Sequence, residues 1–348
     1  MGFKERGVAA TTLDPNEKTF RVPFEGAGGL CFYLRYFPAT ATGPQRKAVL
    51  YAHGARLASA VTIAHRFDGL SWRDDLASDG WDVWGLDYVG YGGSDRYNAM
   101  VEPPEANPPL CRAEEASQQI ERAAEFILKH SNLASVSIIA HSWGTNAAAL
   151  MTIRRPELVD RLVMFGPVTH RPGPGVQAPF VPAWQYITVE DWWKTFMADV
   201  PSGEKPVFDP AHFKVWGQAY LACDAESGQR LPNSVKTPWG ALTDVSKLWS
   251  GGKLFEPAEI NVPTLIVRGE WDSYATDADA KWLFDSLKQA YVKRDVKIAR
   301  ATHFMHFEAN RFDLYEETRG FLAGERSRHC AGRARDAHSA PKLVARTN

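Results

Sequence analysis

The stretch Val136-Ser-Ile-Ile-Ala-His-Ser-Trp-Gly-Thr-Asn146 has the strongest local pattern in this chain of 348 residues. Its apolar first half predicts a buried strand, and the helix-forming run Ala147–Met151 follows after only a few small or polar residues. So tight a turn holds its serine, Ser142, in a strained, exposed position and directs the helix N-terminus at the serine Oγ. Ala140 stands where the strict G-x-S-x-G pattern has its first Gly, and it is still small enough for strand and helix to approach. The stretch predicts a reactive serine, with a buried serine in an ordinary turn as the plainer alternative.

Two residues further along the chain are candidate partners for this serine. A serine is a poor nucleophile at neutral pH unless a base accepts its proton and an acid orients that base. In proteins with such a turn the acid and then the histidine follow the serine, each after a strand. The apolar run Thr264–Val267 leads through a glycine turn to Asp272, and His303 follows the last predicted strand. The sequence therefore has an acid and a histidine at the places where these partners are expected.

The first half of the chain alternates strand patterns with helical patterns, which favours a mostly parallel sheet with helices on both faces. Strands are predicted at Lys18–Phe24, Leu30–Phe37, Lys47–Ala52, Trp81–Leu86, Val136–Ala140, Leu162–Phe165, Val262–Val267 and Asp295–Ala299. Helices are predicted at Cys111–His130, Asp277–Tyr291 and Asn310–Leu322.

Five motifs in this order resemble those of the α/β-hydrolase fold superfamily, from about residue 20 to residue 322. Besides the three segments above, His53-Gly-Ala55 resembles the oxyanion loop that follows the third strand of that family. The segment Asp87-Tyr-Val-Gly-Tyr-Gly-Gly-Ser94 resembles the family's D-x-x-G-x-G-x-S turn after the fourth strand. The resemblance implies an α/β-hydrolase fold: a mostly parallel eight-stranded sheet with helices on both faces and an inserted helical cap.

The resemblance also implies roles for individual residues. Ser142 would be the nucleophile, His303 the general base and then the general acid, and Asp272 the acid that orients the histidine. The oxyanion hole would consist of the backbone N–H groups of Ala55 and Trp143. Neither a metal nor an organic cofactor is implied.

Other side chains near these motifs are rivals for the same roles. His306 is an alternative base, but the family places its histidine five residues before a Glu, and His303 to Glu308 has that spacing. Glu270 is an alternative acid that lies nearer the strand than Asp272. A zinc site is not expected, since no H-E-x-x-H or second acidic cluster accompanies the histidines.

The residue that follows Ser142 bears on which type of reaction is expected. The H-x-W-G context around Trp143 resembles haloalkane dehalogenases and epoxide hydrolases, which have Asp where this chain has Ser142. A carboxylate displaces at carbon and forms an alkyl ester, whereas a serine attacks a carbonyl and forms an acyl-enzyme. The serine therefore favours acyl transfer. Proline iminopeptidases also have S-W-G at this place, so amide cleavage stays open.

Residues 167–259 differ from their surroundings: they are rich in Pro and Gly and contain six of the twelve Trp. We predict that residues 20–166 and 260–323 form the hydrolase core, 167–259 a helical cap, and 324–348 a disordered tail. Aromatic side chains offer large, rigid contact surfaces to a ligand. The candidates for substrate binding are Trp184, Tyr186, Trp192, Trp216 and Tyr220. The alternative is that these rings are only the cap's own core.

Composition excludes several classes of protein. With 40 Lys and Arg against 41 Asp and Glu, the formal charge of −1 does not favour nucleic-acid binding. No stretch has the ~20 consecutive apolar residues of a membrane span, and the charged opening MGFKERGVAA does not match a signal peptide. The four Cys are scattered, so we expect free thiols and a cytoplasmic protein. A homodimer stays open.

We therefore expect hydrolysis of an ester or lactone bond in a small, hydrophobic and uncharged molecule. Hydrolysis of a C–C bond in a diketone and amide cleavage can use the same three residues and stay open. A receptor that only holds its ligand is the alternative outside enzymes. Arg56, beside the predicted oxyanion loop, either binds a substrate carboxylate or is a solvated surface residue.

Overall fold

The computed structural model describes residues 14–41, 47–173 and 181–324. The predicted tail beyond residue 324 and residues 174–180 of the predicted cap lie outside this range. The strands are β1 (Lys18–Phe24), β2 (Leu30–Phe37), β3 (Lys47–Ala52), β4 (Trp81–Asp87), β5 (Val136–His141), β6 (Val159–Phe165), β7 (Trp184–Thr188), β8 (Ser234–Pro238), β9 (Thr264–Gly269) and β10 (Lys293–Ile298).

Eight of these strands form one sheet in the order β1-β2-β4-β3-β5-β6-β9-β10. Strand β2 is antiparallel to both of its neighbours, and the pairs from β4 to β10 are parallel. In a parallel sheet the loops that follow the strands meet at one edge. The loops after β3, β5, β9 and β10 are therefore brought together.

Helices cover both faces of this sheet. The helices of the described residues are α1 (Trp72–Ser78), α2 (Ala113–Ser131), α3 (Gly144–Arg154), α4 (Val189–Met197), α5 (Pro210–Leu221), α6 (Gly240–Trp249), α7 (Asp277–Ser286) and α8 (Arg311–Leu322), of which α4, α5 and α6 lie between β6 and β9. Because side chains alternate along a strand, Ile138 packs into the core with α2, α3 and α7, whereas Ile139 packs into the core with α1 and α8. The predicted mostly parallel eight-stranded sheet with helices on both faces is confirmed.

Some predicted boundaries were wrong. Strand β9 begins at Thr264 rather than Val262, because Pro263 has no N–H to donate to a neighbouring strand. Helix α7 ends at Ser286 rather than Tyr291, since the chain turns back to pair β10 with β9 from Lys293 onward.

The segment between β6 and β9 contains α4, α5 and α6 together with a two-stranded sheet. Strands β7 and β8 are antiparallel, with Trp184 opposite Pro238. The sequence analysis predicted a largely helical unit and missed this pair, whose members are separated by about fifty residues of chain. We call the described residues 181–259 of this segment the cap.

Candidate active site

Ser142 lies in the tight turn between β5 and α3. Its φ of 55° is left-handed, a conformation that is uncommon for a residue with a side chain. The turn is held by a hydrogen bond of 2.8 Å from the Ser142 N–H to the Phe165 carbonyl. Gly54 of the loop after β3 passes so close that a Cβ there would lie 2.9 Å from the Ser142 Cβ. Local packing therefore fixes the serine at the sheet edge in the strained position that the motif predicts.

His303 and Asp272 complete a hydrogen-bonded series with this serine. The Ser142 Oγ is 2.8 Å from His303 Nε2, and His303 Nδ1 is 3.0 Å from each carboxylate oxygen of Asp272. All three side chains lie in loops that follow β5, β9 and β10. His303 and Asp272 are buried, so water does not compete for the bonds between them. This is the geometry of a nucleophile, a base and an orienting acid.

Two neighbours hold the acid and the imidazole in place. Asp272 Oδ1 accepts hydrogen bonds from the backbone N–H groups of Tyr274 and Ala275, at 2.8 and 2.9 Å. The Tyr274 ring stacks on the His303 ring with centroids 4.5 Å apart. Gly166 leaves the space that these groups need, since a Cβ there would lie 3.0 Å from the His303 ring.

The loop that carries His303 is fixed from both ends by buried groups. Glu308 accepts hydrogen bonds from the Thr302 N–H and the Thr302 hydroxyl. Burial raises the pKa of Glu308 to about 7. On the other side the His141 Nε2–H donates to the His303 carbonyl at 3.1 Å. His141 thus acts as a structural hydrogen-bond donor, and burial lowers its pKa well below the ordinary value.

The rival residues lie elsewhere. Both ring nitrogens of His306 are buried and make no hydrogen bond within the described residues, and burial lowers the pKa of this imidazole well below its ordinary value. Glu270 is exposed, and its carboxylate accepts from the Arg300 N–H at 2.8 Å. The structure therefore brings together Ser142, His303 and Asp272.

The predicted oxyanion donors are the backbone N–H groups of Ala55, in the loop after β3, and of Trp143, the residue after Ser142. Trp143 precedes the first turn of α3, where helix N–H groups lack intrahelical partners. In the described part of the chain, neither of these N–H groups donates to a protein acceptor. Near this loop, the Tyr91 hydroxyl donates to the Pro238 carbonyl of β8 at 3.3 Å.

One buried residue that the sequence analysis missed connects the cap to the serine turn. Asp244 of α6 accepts from the Trp143 indole N–H at 3.0 Å and from the Ala113 N–H at 2.7 Å, and it pairs with Arg112. Its carboxylate therefore joins the cap, the first turn of α2 and the residue after Ser142. No local pattern marks Asp244, since its partners lie more than 100 residues away in the chain.

The five predicted substrate-binding aromatics separate into two groups. Trp192, Trp216 and Tyr220 are fully buried and form a shared cluster of rings. The Trp216 and Tyr220 rings stack 5.3 Å apart, and the Trp192 ring contacts both edge-on. Trp184 and Tyr186 lie on the β7–β8 sheet, where Tyr186 is exposed and Trp184 packs beside residues before α2. This placement favours the core interpretation for most of the set.

The sheet and the loops that carry Ser142, Asp272 and His303 agree with a known protein family. The family model of the alpha/beta hydrolase fold matches residues 47–310, about three quarters of the chain. The chain belongs to the α/β-hydrolase fold family. No curated protein matches its sequence.

Solved structures of low sequence identity share the fold. A serine hydrolase from the polyaromatic-hydrocarbon-degrading bacterium Cycloclasticus zankles is 14% identical, with a TM-score of 0.56 over 88% of this chain and 98% of that chain. A serine hydrolase involved in carbazole degradation is 21% identical, with a TM-score of 0.55 over 88% and 99%. An esterase from Exiguobacterium antarcticum is 15% identical, with a TM-score of 0.55 over 85% and 97%.

Residues 14–41, 47–173 and 181–324 contain neither a membrane-spanning helix nor a metal-binding cluster. No helix in that part of the chain is long and apolar enough to cross a membrane. The same residues contain no group of three or more His, Cys, Asp and Glu side chains arranged to hold a metal ion.

Proposed function

We propose that this protein is a serine hydrolase that cleaves an ester or lactone bond of a small hydrophobic substrate through an acyl-enzyme on Ser142. The observation that carries the proposal is the unbroken series Ser142 Oγ, His303 Nε2, His303 Nδ1 and the Asp272 carboxylate, with contacts of 2.8 and 3.0 Å. Family membership and the hydrolases among the structural neighbours support it.

The reaction begins when the Ser142 Oγ attacks the carbonyl carbon and its proton passes to His303 Nε2. The carbonyl electron pair moves onto oxygen, where the N–H groups of Ala55 and Trp143 donate to it. In related sites each donor of this kind stabilises the transition state by about 3 kcal/mol. Asp272 stabilises the imidazolium that forms.

Collapse of the tetrahedral intermediate breaks the bond between the carbonyl carbon and the alcohol oxygen, and His303 gives its proton to that oxygen. A water molecule then loses a proton to His303 and attacks the acyl-enzyme. The second collapse releases the carboxylic acid and returns the proton to the Ser142 Oγ. No metal and no organic cofactor takes part in these steps.

Covalent labelling tests the nucleophile. A fluorophosphonate should add one adduct to the wild type, measured by intact mass, and none to Ser142→Ala. Ser78→Ala is a matched control, because Ser78 is exposed on α1, and it should label like the wild type. An unlabelled wild type, or an adduct that survives in Ser142→Ala, would refute the proposal.

A panel of substrates tests which type of bond the protein cleaves. We expect turnover of p-nitrophenyl butyrate and of small lactones above that of amides and vinylogous diketones. Preference for a diketone or an iminopeptide would assign C–C or amide hydrolysis to the same three residues. A burst without sustained turnover of every substrate would favour a receptor.

A cytoplasmic location is also proposed. Cys31, Cys111 and Cys223 are unpaired in the described part of the chain, as is usual for proteins of reducing compartments.

A further inference from the structure

Arg56 is the residue that follows the proposed oxyanion donor Ala55, so their Cα atoms are about 3.8 Å apart. Its φ of 66° is left-handed, a second uncommon backbone conformation beside the serine turn. Its guanidinium carbon lies 5.0 Å from the centre of the Trp192 ring, a cation–π contact. The strained backbone and the ring contact together hold this cation in one place.

The Arg56 guanidinium contacts the Trp192 ring but makes no hydrogen bond or ion pair within the described residues, and Asp191, whose charge it attracts, lies beyond ion-pair distance. Its Nε is buried and makes no hydrogen bond there, and no carboxylate of residues 14–41, 47–173 or 181–324 lies within 4 Å of its nitrogens. Arg171 and Arg268, by contrast, pair with Asp279 and Asp277. Arg56 is half-buried rather than a fully solvated surface residue, and its buried, unbonded Nε lacks an acceptor.

The Arg56 charge lies on the side of the site that holds the histidine. The Trp192 ring beneath it contacts the Phe304 ring at 5.8 Å, and Phe304 is the residue after His303. Burial raises the pKa of the Tyr274 hydroxyl, and the Arg56 charge partly offsets this effect. Tyr274 is the residue whose ring stacks on His303. Two rings that contact the histidine loop, Trp192 and Tyr274, therefore lie within range of the Arg56 charge.

We propose that Arg56 binds a carboxylate of the substrate, so that the ester or lactone cleaved at Ser142 carries a second, anionic group on a hydrophobic frame. The planar fork of an arginine matches a planar carboxylate with two parallel hydrogen bonds. One guanidinium balances one negative charge, which favours a carboxylate over a phosphate dianion. The inference rests on the proposed function and replaces the expectation of an uncharged substrate.

The test compares a charged ester with a neutral ester of the same chain length. The two probes are mono-p-nitrophenyl adipate and p-nitrophenyl hexanoate, and the readout is the ratio of their kcat/KM values. In Arg56→Gln this ratio should fall by about 10- to 100-fold, because a hydrogen-bonded charge pair at the site is lost. Arg56→Lys should retain part of the preference. Arg122→Gln is the matched control, since Arg122 is exposed on α2, and its ratio should equal that of the wild type.

An equal ratio in the wild type and in Arg56→Gln would overturn the carboxylate site. A second measurement separates this result from a failure of the hydrolase proposal. Adipate binding is titrated by tryptophan fluorescence in Ser142→Ala and in Ser142→Ala/Arg56→Gln, where no turnover is needed. At least tenfold weaker binding in the double variant supports the site even if no ester is hydrolysed, and equal binding overturns it.

Discussion

Replacing Asp244 with Ala should destabilise the protein far more than replacing it with Asn. The Ala variant leaves two donors without an acceptor, the buried Trp143 indole N–H and the Ala113 N–H in the first turn of α2. Each unpaired buried donor costs about 1–3 kcal/mol. The pair with Arg112, whose side chain is 39% exposed, adds about 0–1 kcal/mol. We therefore expect Asp244→Ala to lower the free energy of unfolding by about 2–7 kcal/mol.

In Asp244→Asn the amide oxygen can occupy the position of Asp244 Oδ2, which accepts from both the Trp143 indole N–H and the Ala113 N–H. The Asn variant loses the charge and the acceptor opposite Arg112, whose partly exposed side chain can bond to water instead, so its cost should be about 1 kcal/mol or less. Urea unfolding followed by far-ultraviolet circular dichroism measures both values, with wild type and Asp244→Asn as references. Equal unfolding free energies for Asp244→Ala and Asp244→Asn would refute the reasoning, because they would mean that neither donor depends on this carboxylate.

The histidine loop supports two further predictions. Burial raises the pKa of Glu308 from 4.5 to about 7, so between these values the folded protein holds a proton that the unfolded chain has released. The free energy of unfolding should therefore fall by at most about 3 kcal/mol as the pH rises through this window. Urea unfolding should show a flatter dependence of that free energy on pH in Glu308→Gln than in the wild type. For the two histidines, His303→Ala should lose at least about 1,000-fold in ester turnover, whereas His306→Ala should retain most of it. The reverse order would show that the wrong imidazole is assigned as the base.

The parts of the site that could be predicted are those determined within short stretches of chain. The turn around Ser142 needs only a strand, small neighbours and a helix, and all of these are contiguous in sequence. Asp272 and His303 could be chosen because each follows a strand, and parallel strands deliver their loops to one edge.

The parts that could not be predicted depend on contacts between distant residues. The pairing of β7 with β8 and the bonds of Asp244 join positions about 50 to 130 residues apart, and no local periodicity records them. The orientation of aromatic rings cannot be predicted from sequence either. Trp192 and Trp216 are residue types that often line ligand pockets, but their edge-on contact with each other places both in a core. The role of Arg56 is ambiguous in the sequence for the same reason, since only the folded chain shows that no carboxylate of the described residues lies within 4 Å of its nitrogens.

The separation of Ser142 from His303 by 161 residues also has a consequence for biosynthesis. A ribosome adds about 5–20 residues per second, so roughly 8–32 s pass between the synthesis of the serine and that of its proposed base. During that interval the serine turn can form on β5 and α3, but its hydroxyl has no imidazole beside it. Under the proposed mechanism the nascent chain cannot attack esters in its surroundings until the last strand of the sheet joins and brings the imidazole to the serine.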